Sequence, residues 1–428
     1  MKRNAIVGFG GAGYSAAKEL RRLDPDCMID VYSDTDIGPY NPMLTTYYVK
    51  GAIPYEGMFP FGQLEEVIQE LNINFHKNLP VIGLQASEKK LIFSDGSEAV
   101  YDQILLSTGA SAVLPPVPGI HLPGVFKMRT AYDAVELKKK LDNGLVRDCL
   151  VIGASWVGIK VIEDLAIRGI SSTLVDGAPW MFYTAAFEET SKRAQRDLEK
   201  KGIQVFCNQM LSQIEQEYDG RLTATMKSGA RFSADLIAMC VGVRTNTGFL
   251  KDSGLTLNRG IPVDTYMQTN IAGIYAAGDC CEAFETQSGK HRNIGVWLNA
   301  IQQGRIAGAN MAGKKTQFDA NVLLNLAHYL EYDFVSIGDI SGCGSEDPVY
   351  EYEDEKYYIR GVRKENRIQC LNVIHSAESN GVLKNIFIKA LKNPNAEIDT
   401  QSICCLIDRG FPRSFVSFLS GGRFSDRT

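Results

Sequence analysis

The chain has 428 residues, a formal net charge of -5 at pH 7, and 45% hydrophobic and 22% charged residues. That length exceeds what one compact core supports, so two or three domains are expected, and the charge balance excludes bulk attraction to nucleic acid or anionic lipid. No apolar run reaches the length of a membrane span, and Met1 to Gly8 leads straight into a strand with no room for a leader. The expectation is a cytoplasmic protein that meets neither nucleic acid nor membrane. Ten cysteines are scattered with no C-x-x-C pair and no His/Cys cluster at metal spacing, so they read as reduced, mostly buried thiols, and no metal is expected.

In chain order, Asn4 to Val7 is a short apolar strand, Gly8-Phe9-Gly10-Gly11-Ala12-Gly13 a turn, and Tyr14 to Arg22 a helix. Strand, glycine turn and helix together make a dinucleotide fingerprint. Gly8 permits the tight turn, Gly10 lets backbone approach a pyrophosphate, Gly13 lets helix and strand pack closely, and Ala12 completes the loop. The phosphates then face unpaired N–H groups at the helix N-terminus. The next strand, Met28 to Ser33, ends at Asp34, placed to accept hydrogen bonds from ribose hydroxyls.

A second copy follows. Cys149 to Ile152 is a strand, Gly153-Ala154-Ser155-Trp156-Val157-Gly158 a turn, Val161 to Arg168 a helix, and Thr173 to Val175 a strand ending at Asp176. An acid in that ribose position disfavours a 2′-phosphate, so NADH is expected over NADPH. Ser155 stands where the middle glycine is usual, a departure tolerated if the pyrophosphate sits slightly further out. Between the copies, Pro115-Pro116-Val117-Pro118-Gly119 is a stiff crossing, and Phe187 to Lys201 reads as an amphipathic, charged helix stopped by Gly202.

The ordered set resembles the FAD-dependent pyridine-nucleotide oxidoreductases, the family of rubredoxin and ferredoxin reductases, NADH oxidases and the flavin domain of assimilatory nitrite reductase. Besides the two fingerprints, Leu105-Leu106-Ser107-Thr108-Gly109-Ala110 looks like the segment ending the first flavin section. Val241-Gly242-Val243-Arg244-Thr245-Asn246 looks like the return from the nicotinamide domain, and Thr269 to Asp279 like the strand that closes the flavin site. The resemblance implies an α/β fold with two Rossmann-like dinucleotide-binding domains and a C-terminal α+β interface domain. The FAD domain, 1–115 and 243–315, is split by an NAD(H) domain, 116–242, and 316–428 completes the chain. It further implies FAD contacts from Gly109, Gly278 and Asp279, the last on the ribityl chain, from the backbone of Val81 to adenine, and from Trp297 near the isoalloxazine. Gly153, Ser155, Gly158 and Asp176 are expected around NADH, and Gly242, in the return segment, is a further cofactor-binding candidate. Trp297 reads equally as core packing, since a tryptophan beside a flavin does both jobs.

Two departures from the family stand out. Its disulfide reductases carry a reactive cysteine after the first acidic strand, but Ile37 to Tyr48 contains none, which argues against dithiol exchange at that place. Two residues past the final glycine of the second fingerprint, where the family commonly has a glutamate, stands Lys160. It reads as a single cation facing the flavin, to stabilise anionic reduced flavin or hold an anionic substrate, or as a lysine pointing to solvent.

In the last third, Phe334 to Asp339, Val349 to Tyr358, Arg367 to Ile374 and Val382 to Leu391 suggest strands with a helix, similar to the family's dimer-forming domain. Glu351 to Lys356 reads as a solvated hairpin turn, with docking to a basic partner as the alternative. The apolar tail from Cys404 to Leu419 must be packed, a second subunit being one candidate cover. The expected function is an NADH-dependent FAD reductase passing electrons to a ferredoxin- or rubredoxin-type carrier or a partner subunit, as a homodimer. The alternatives are an oxidase or small-molecule reductase acting on dioxygen or an organic anion, and a redox-sensing flavoprotein acting through partner binding.

Overall fold

Residues 1–319, 321–375, 379–393 and 395–422 are described by a computed structural model. The end of the expected third domain, 423–428, lies outside the described residues. The chain divides into two compact units, one of Met1–Val113, Arg129–Val135 and Val243–Asn321, the other of Leu114–Met128, Glu136–Gly242 and Val322–Thr428. Among the described residues, no helix is long and apolar enough to cross a membrane.

In the first unit, the strands Arg3–Val7, Met28–Tyr32 and Gln103–Leu106 are nearly continuous apolar runs, the pattern of strands covered on both faces. They form a five-stranded parallel sheet in the order Ile274–Ala276, Gln103–Leu106, Arg3–Val7, Met28–Tyr32, Asn74–His76. Val7 lies beside Tyr32 and Leu106, and Leu106 beside Ala276, so four strands end level. The loops leaving them emerge together at the carboxyl edge, where open α/β sheets bind ligands.

The helices Gly11–Leu23 and Trp297–Met311 cross at small residues. A Cβ on Gly304 would lie 2.1 Å from the carbonyl oxygen of Ala12, and one on Gly308 2.4 Å from that of Ala16. Glycine at both positions is what allows this backbone approach, and it fixes the start of the second helix beside the start of the first. The first begins at Gly11 rather than Tyr14, because the glycine loop itself forms the opening turn.

In the second unit, a parallel sheet runs in the order Gln204–Phe206, Ser171–Val175, Asp148–Ile152, Leu236–Met239, Val125–Lys127. Its second helix-forming fingerprint again starts early, at Trp156, and runs to Ile167. The same unit contains a five-stranded antiparallel sheet, Leu324–Tyr329, Tyr332–Gly338, Arg367–His375, Tyr358–Lys364, Val349–Glu353, packed by three helices, Asn380–Lys392, Thr400–Asp408 and Arg413–Leu419.

One expectation for this region is met and another changes. The apolar tail packs on its own chain: Leu406, Phe411, Phe415, Val416 and Leu419 are buried with Ile359, Leu371 and Phe387 in one core. The acidic hairpin is not simply solvated. Arg193, on the helix Glu188–Lys200, donates to the carbonyl oxygens of Asp354 and Glu355 at 2.9 and 3.1 Å, and Arg196 binds the Glu353 carboxylate at 2.5 Å. The basic partner of this acidic run is the chain itself.

Candidate functional site

The first glycine loop leaves the carboxyl end of Arg3–Val7. Gly8 has φ +93°, and its Cβ would lie 2.5 Å from the Ser107 carbonyl oxygen, so only glycine fits. Gly13 approaches the Gly8 carbonyl so closely that its Cβ would lie 2.2 Å from that oxygen. Gly10 differs. A Cβ there meets nothing within 4 Å, so the backbone faces open space directly in front of the helix Gly11–Leu23. That helix has no acidic residue in its first turn and no side-chain cap, leaving its N–H groups and dipole directed at the opening, as an anion requires.

Around the loop stand the other flavin-site candidates. Asp34 is exposed beyond the end of Met28–Tyr32. Val81 opens an antiparallel strand with a bulge that turns Ile82 outward. Gly109, at φ +66°, faces open space, and its segment is locked in place: the Thr108 hydroxyl donates to the Asn246 carbonyl at 2.8 Å, while the Asn246 side chain donates to the Thr108 carbonyl at 2.9 Å. Gly278, at φ +83°, lies against Ala12, its Cβ position 3.2 Å from the Ala12 methyl. Gln303 accepts from the Gly278 N–H at 2.8 Å.

Trp297 opens the helix Trp297–Met311 and covers the loop, with its Nε1 3.0 Å from where a Gly11 Cβ would be. Its ring is stacked on Phe61 at 6.0 Å, and Phe61 in turn stacks on Tyr14 at 4.1 Å. Its Nε1 is buried and has no hydrogen-bond partner among the described residues. Packing is therefore visible, and so is an unsatisfied donor of the kind a bound group satisfies.

Arg129 was not among the sequence candidates. Its guanidinium binds the Asp279 carboxylate at 2.6 Å and donates to the Ala110 carbonyl at 2.9 Å. The sequence signal was the reciprocal cap that follows it: Asp133 accepts from the Thr130 N–H at 2.8 Å, and the Thr130 hydroxyl accepts from the Asp133 N–H at 3.1 Å. That cap fixes the arginine just before a helix, but nothing local points it at Asp279. Asp279, expected on the ribityl chain, therefore enters the site as half of an ion pair.

In the second unit the glycine logic repeats. Gly153 has φ +112° and would place a Cβ 2.3 Å from the Cys240 carbonyl oxygen, and a Gly158 Cβ would lie 1.9 Å from that of Gly153. Ser155 is tolerated for a local reason. Its hydroxyl donates to the Cys240 carbonyl at 2.9 Å and accepts from the Gly158 N–H at 3.4 Å, so the side chain folds back as a helix N-cap. Asp176 ends the adjacent strand and accepts from the Ala154 N–H at 2.5 Å and the Ala178 N–H at 2.7 Å. The expected ribose acid thus also fastens the glycine turn. Gly242, at φ +110°, faces open space.

Lys160 is neither solvent-directed nor a lone cation. Its side chain is 13% exposed and forms an ion pair with Glu163, one turn along the same helix, itself 6% exposed. The segment where a redox cysteine is usual folds as a short helix, Leu44–Val49, with Thr45 and Thr46 buried and bonded to the Pro42 and Met43 carbonyls.

Comparisons with known proteins agree with this geometry. Residues 2–304 match the family model for pyridine nucleotide-disulphide oxidoreductases. An NADH oxidase of Methanocaldococcus jannaschii is 30% identical over 321 residues, 74% of this chain and 71% of that one. A nitric oxide reductase FlRd-NAD(+) reductase of Escherichia coli is 28% identical over 277 residues, covering 65% and 72%. The water-forming NADH oxidase from Lactobacillus brevis has the same fold, with a TM-score of 0.87 at 21% identity over 98% of this chain and 97% of that chain. With two glycine cradles at sheet edges and this match across most of its length, the chain belongs to the pyridine nucleotide-disulphide oxidoreductase family, which implies FAD and NAD(P)H, and is an NAD(P)H oxidoreductase.

Proposed function

We propose that the protein is an NADH-dependent FAD oxidoreductase whose electrons leave for an external acceptor, a ferredoxin- or rubredoxin-type carrier or a partner catalytic subunit. The observation that carries this reading is the segment Ile37 to Tyr48, which lacks a cysteine and buries threonines instead, so no thiol stands there to take electrons within the chain. The resemblance of the chain to a nitric oxide reductase FlRd-NAD(+) reductase supports an acceptor outside the chain. When bound, FAD supplies the two-electron relay between nicotinamide and acceptor.

The chain's own residues bind and orient. N–H groups of Gly10 to Gly13 hold the pyrophosphate, Asp34 the ribose hydroxyls, the Val81 backbone the adenine, and Asp279, positioned by Arg129, the ribityl chain. Gly109 and Gly278 leave room for the cofactor, and the Trp297 helix start favours negative charge beside it. Gly153, Ser155, Gly158, Asp176 and Gly242 hold NADH. In this reading 1–115 and 243–315 serve FAD, 116–242 serves NADH, and 316–428 serves assembly of a cytoplasmic homodimer. Aerobic turnover tests the acceptor. Slow NADH consumption in air that accelerates with a small iron–sulfur or rubredoxin-type carrier is expected. Peroxide formed at the rate of NADH consumption would replace this reading with an oxidase, the second reading, which the archaeal NADH oxidase relative favours.

Lys160 is assigned to tuning the flavin's surroundings together with Glu163. Lys160→Ala leaves the buried Glu163 without this partner, an expected loss of about 3 kcal/mol of stability along with slower flavin reduction. The double variant Lys160→Met/Glu163→Leu separates the two effects. Thermal stability is expected to recover while reduction by NADH stays slow, and a reduction rate that recovers with stability would reduce the pair to a structural role.

A further inference from the structure

Cys343 and Cys370 lie 27 residues apart in sequence, with their sulfurs 3.3 Å apart. Cys370 is fully buried in the strand Arg367–His375, between Gly338 and Val362 on its neighbours. Cys343 is half-buried and borders the exposed residues Gly344 to Glu346.

The turn that carries Cys343 is held over the strand by a dense set of bonds. Gly338 has φ +85°, and its Cβ would lie 2.3 Å from the Gln369 carbonyl oxygen, so the chain turns tightly across its neighbour. The Asp339 side chain accepts from the Ser341 N–H at 2.9 Å and the Ser341 hydroxyl at 2.6 Å, and the Gln369 side chain donates to the Asp339 carbonyl at 2.8 Å. Lys364 donates to the Gly342 carbonyl at 2.9 Å, which brings a cation to the turn.

We propose that Cys343 and Cys370 are a redox-responsive dithiol, which closes to an intramolecular disulfide when a hydroperoxide oxidises it. The two thiols are unequal. The hydrogen bond between them and burial push the pKa of Cys370 up, while Cys343 stands half-buried at the exposed edge of the turn, open to a peroxide. Cys343 is therefore the attacking thiolate and Cys370 the resolving thiol. In the first step the Cys343 sulfur attacks the peroxide, the O–O bond breaks, and an alcohol, or water from hydrogen peroxide, leaves with a proton, giving a sulfenic acid. In the second step the Cys370 sulfur attacks that sulfur, the S–O bond breaks, and water leaves with the Cys370 proton. The two thiols give up two electrons and the peroxide takes both. The sulfurs must close from 3.3 Å to about 2.0 Å as the bond forms. By contrast Cys149, Cys240, Cys280 and Cys281 are buried thiols whose pKa values burial raises, which leaves them inert.

The test uses the FAD-loaded protein and one equivalent of hydrogen peroxide under otherwise anaerobic conditions, followed by denaturation and thiol counting. The count is expected to fall from ten thiols to eight, with the two lost thiols recovered by a dithiol reductant and with the Cys343 and Cys370 peptides joined in the unreduced digest. Cys343→Ser is expected to keep all its thiols, and Cys370→Ser to stop at a sulfenic acid on Cys343 that dimedone traps. Ten thiols after treatment of the wild type, or a bridge between other cysteines, overturns the proposal without bearing on the electron acceptor.

Discussion

Gly10→Val is expected to fold and to be colourless. Gly10 has φ -78° and ψ -164°, a conformation any residue adopts, and a Cβ there meets nothing within 4 Å. The substitution replaces one unassisted N-cap by another at a cost of about 1 kcal/mol or less, so the melting temperature of the apoprotein hardly moves. The added methyls, however, stand in the opening in front of the helix N-terminus, the space assigned to the pyrophosphate. FAD affinity should fall by about 100-fold or more, roughly 3 kcal/mol. Flavin-to-protein ratio after dialysis reads this directly. Gly13→Ala supplies the contrast, because its Cβ would lie 2.2 Å from the Gly8 carbonyl oxygen and so damages fold and binding together. A yellow Gly10→Val protein with full flavin content would mean that the cofactor does not use this loop.

Asp176→Ser should move the enzyme's preference from NADH toward NADPH. The carboxylate stands where the adenosine ribose is expected and repels the 2′-phosphate of NADPH; removing the charge ends that repulsion. The same carboxylate holds the N–H groups of Ala154 and Ala178, and serine replaces at most part of this bonding. NADH should therefore bind more weakly as NADPH gains. A fall of about 100-fold in the ratio of kcat/KM for NADH over NADPH is expected, roughly 3 kcal/mol shared between the two effects. Steady-state kinetics with both nucleotides decides it, and an unchanged ratio would make Asp176 a turn-fastening residue only.

The parallel sheets and both glycine loops were legible because their signals are local. Apolar runs of strand length and glycines at fixed spacing need no knowledge of the rest of the chain. The helix starts were placed late, at Tyr14 and Val161, because the glycines Gly11, Gly13 and Gly158 have poor helix propensity even where, as here, the loop runs into the first turn.

What escaped sequence reading was pairing between distant residues. Arg129 and Asp279 are 150 residues apart, and the tail's apolar residues show that they need cover without showing which surface supplies it. The acidic hairpin looked solvated for the same reason, since Arg193 and Arg196 approach it from a helix some 160 positions earlier in the chain. Lys160 is the exception, since its partner Glu163 lies at i,i+3 spacing on the same helix, a pairing that local sequence alone makes legible.

The deciding experiment is anaerobic rapid mixing of the FAD-loaded protein with one equivalent of NADH. Rapid and complete bleaching of the flavin is expected, with slow return of colour when air is admitted and fast return when a carrier protein is added. A flavin that stays oxidised after NADH is mixed would contradict the NADH-dependent reading.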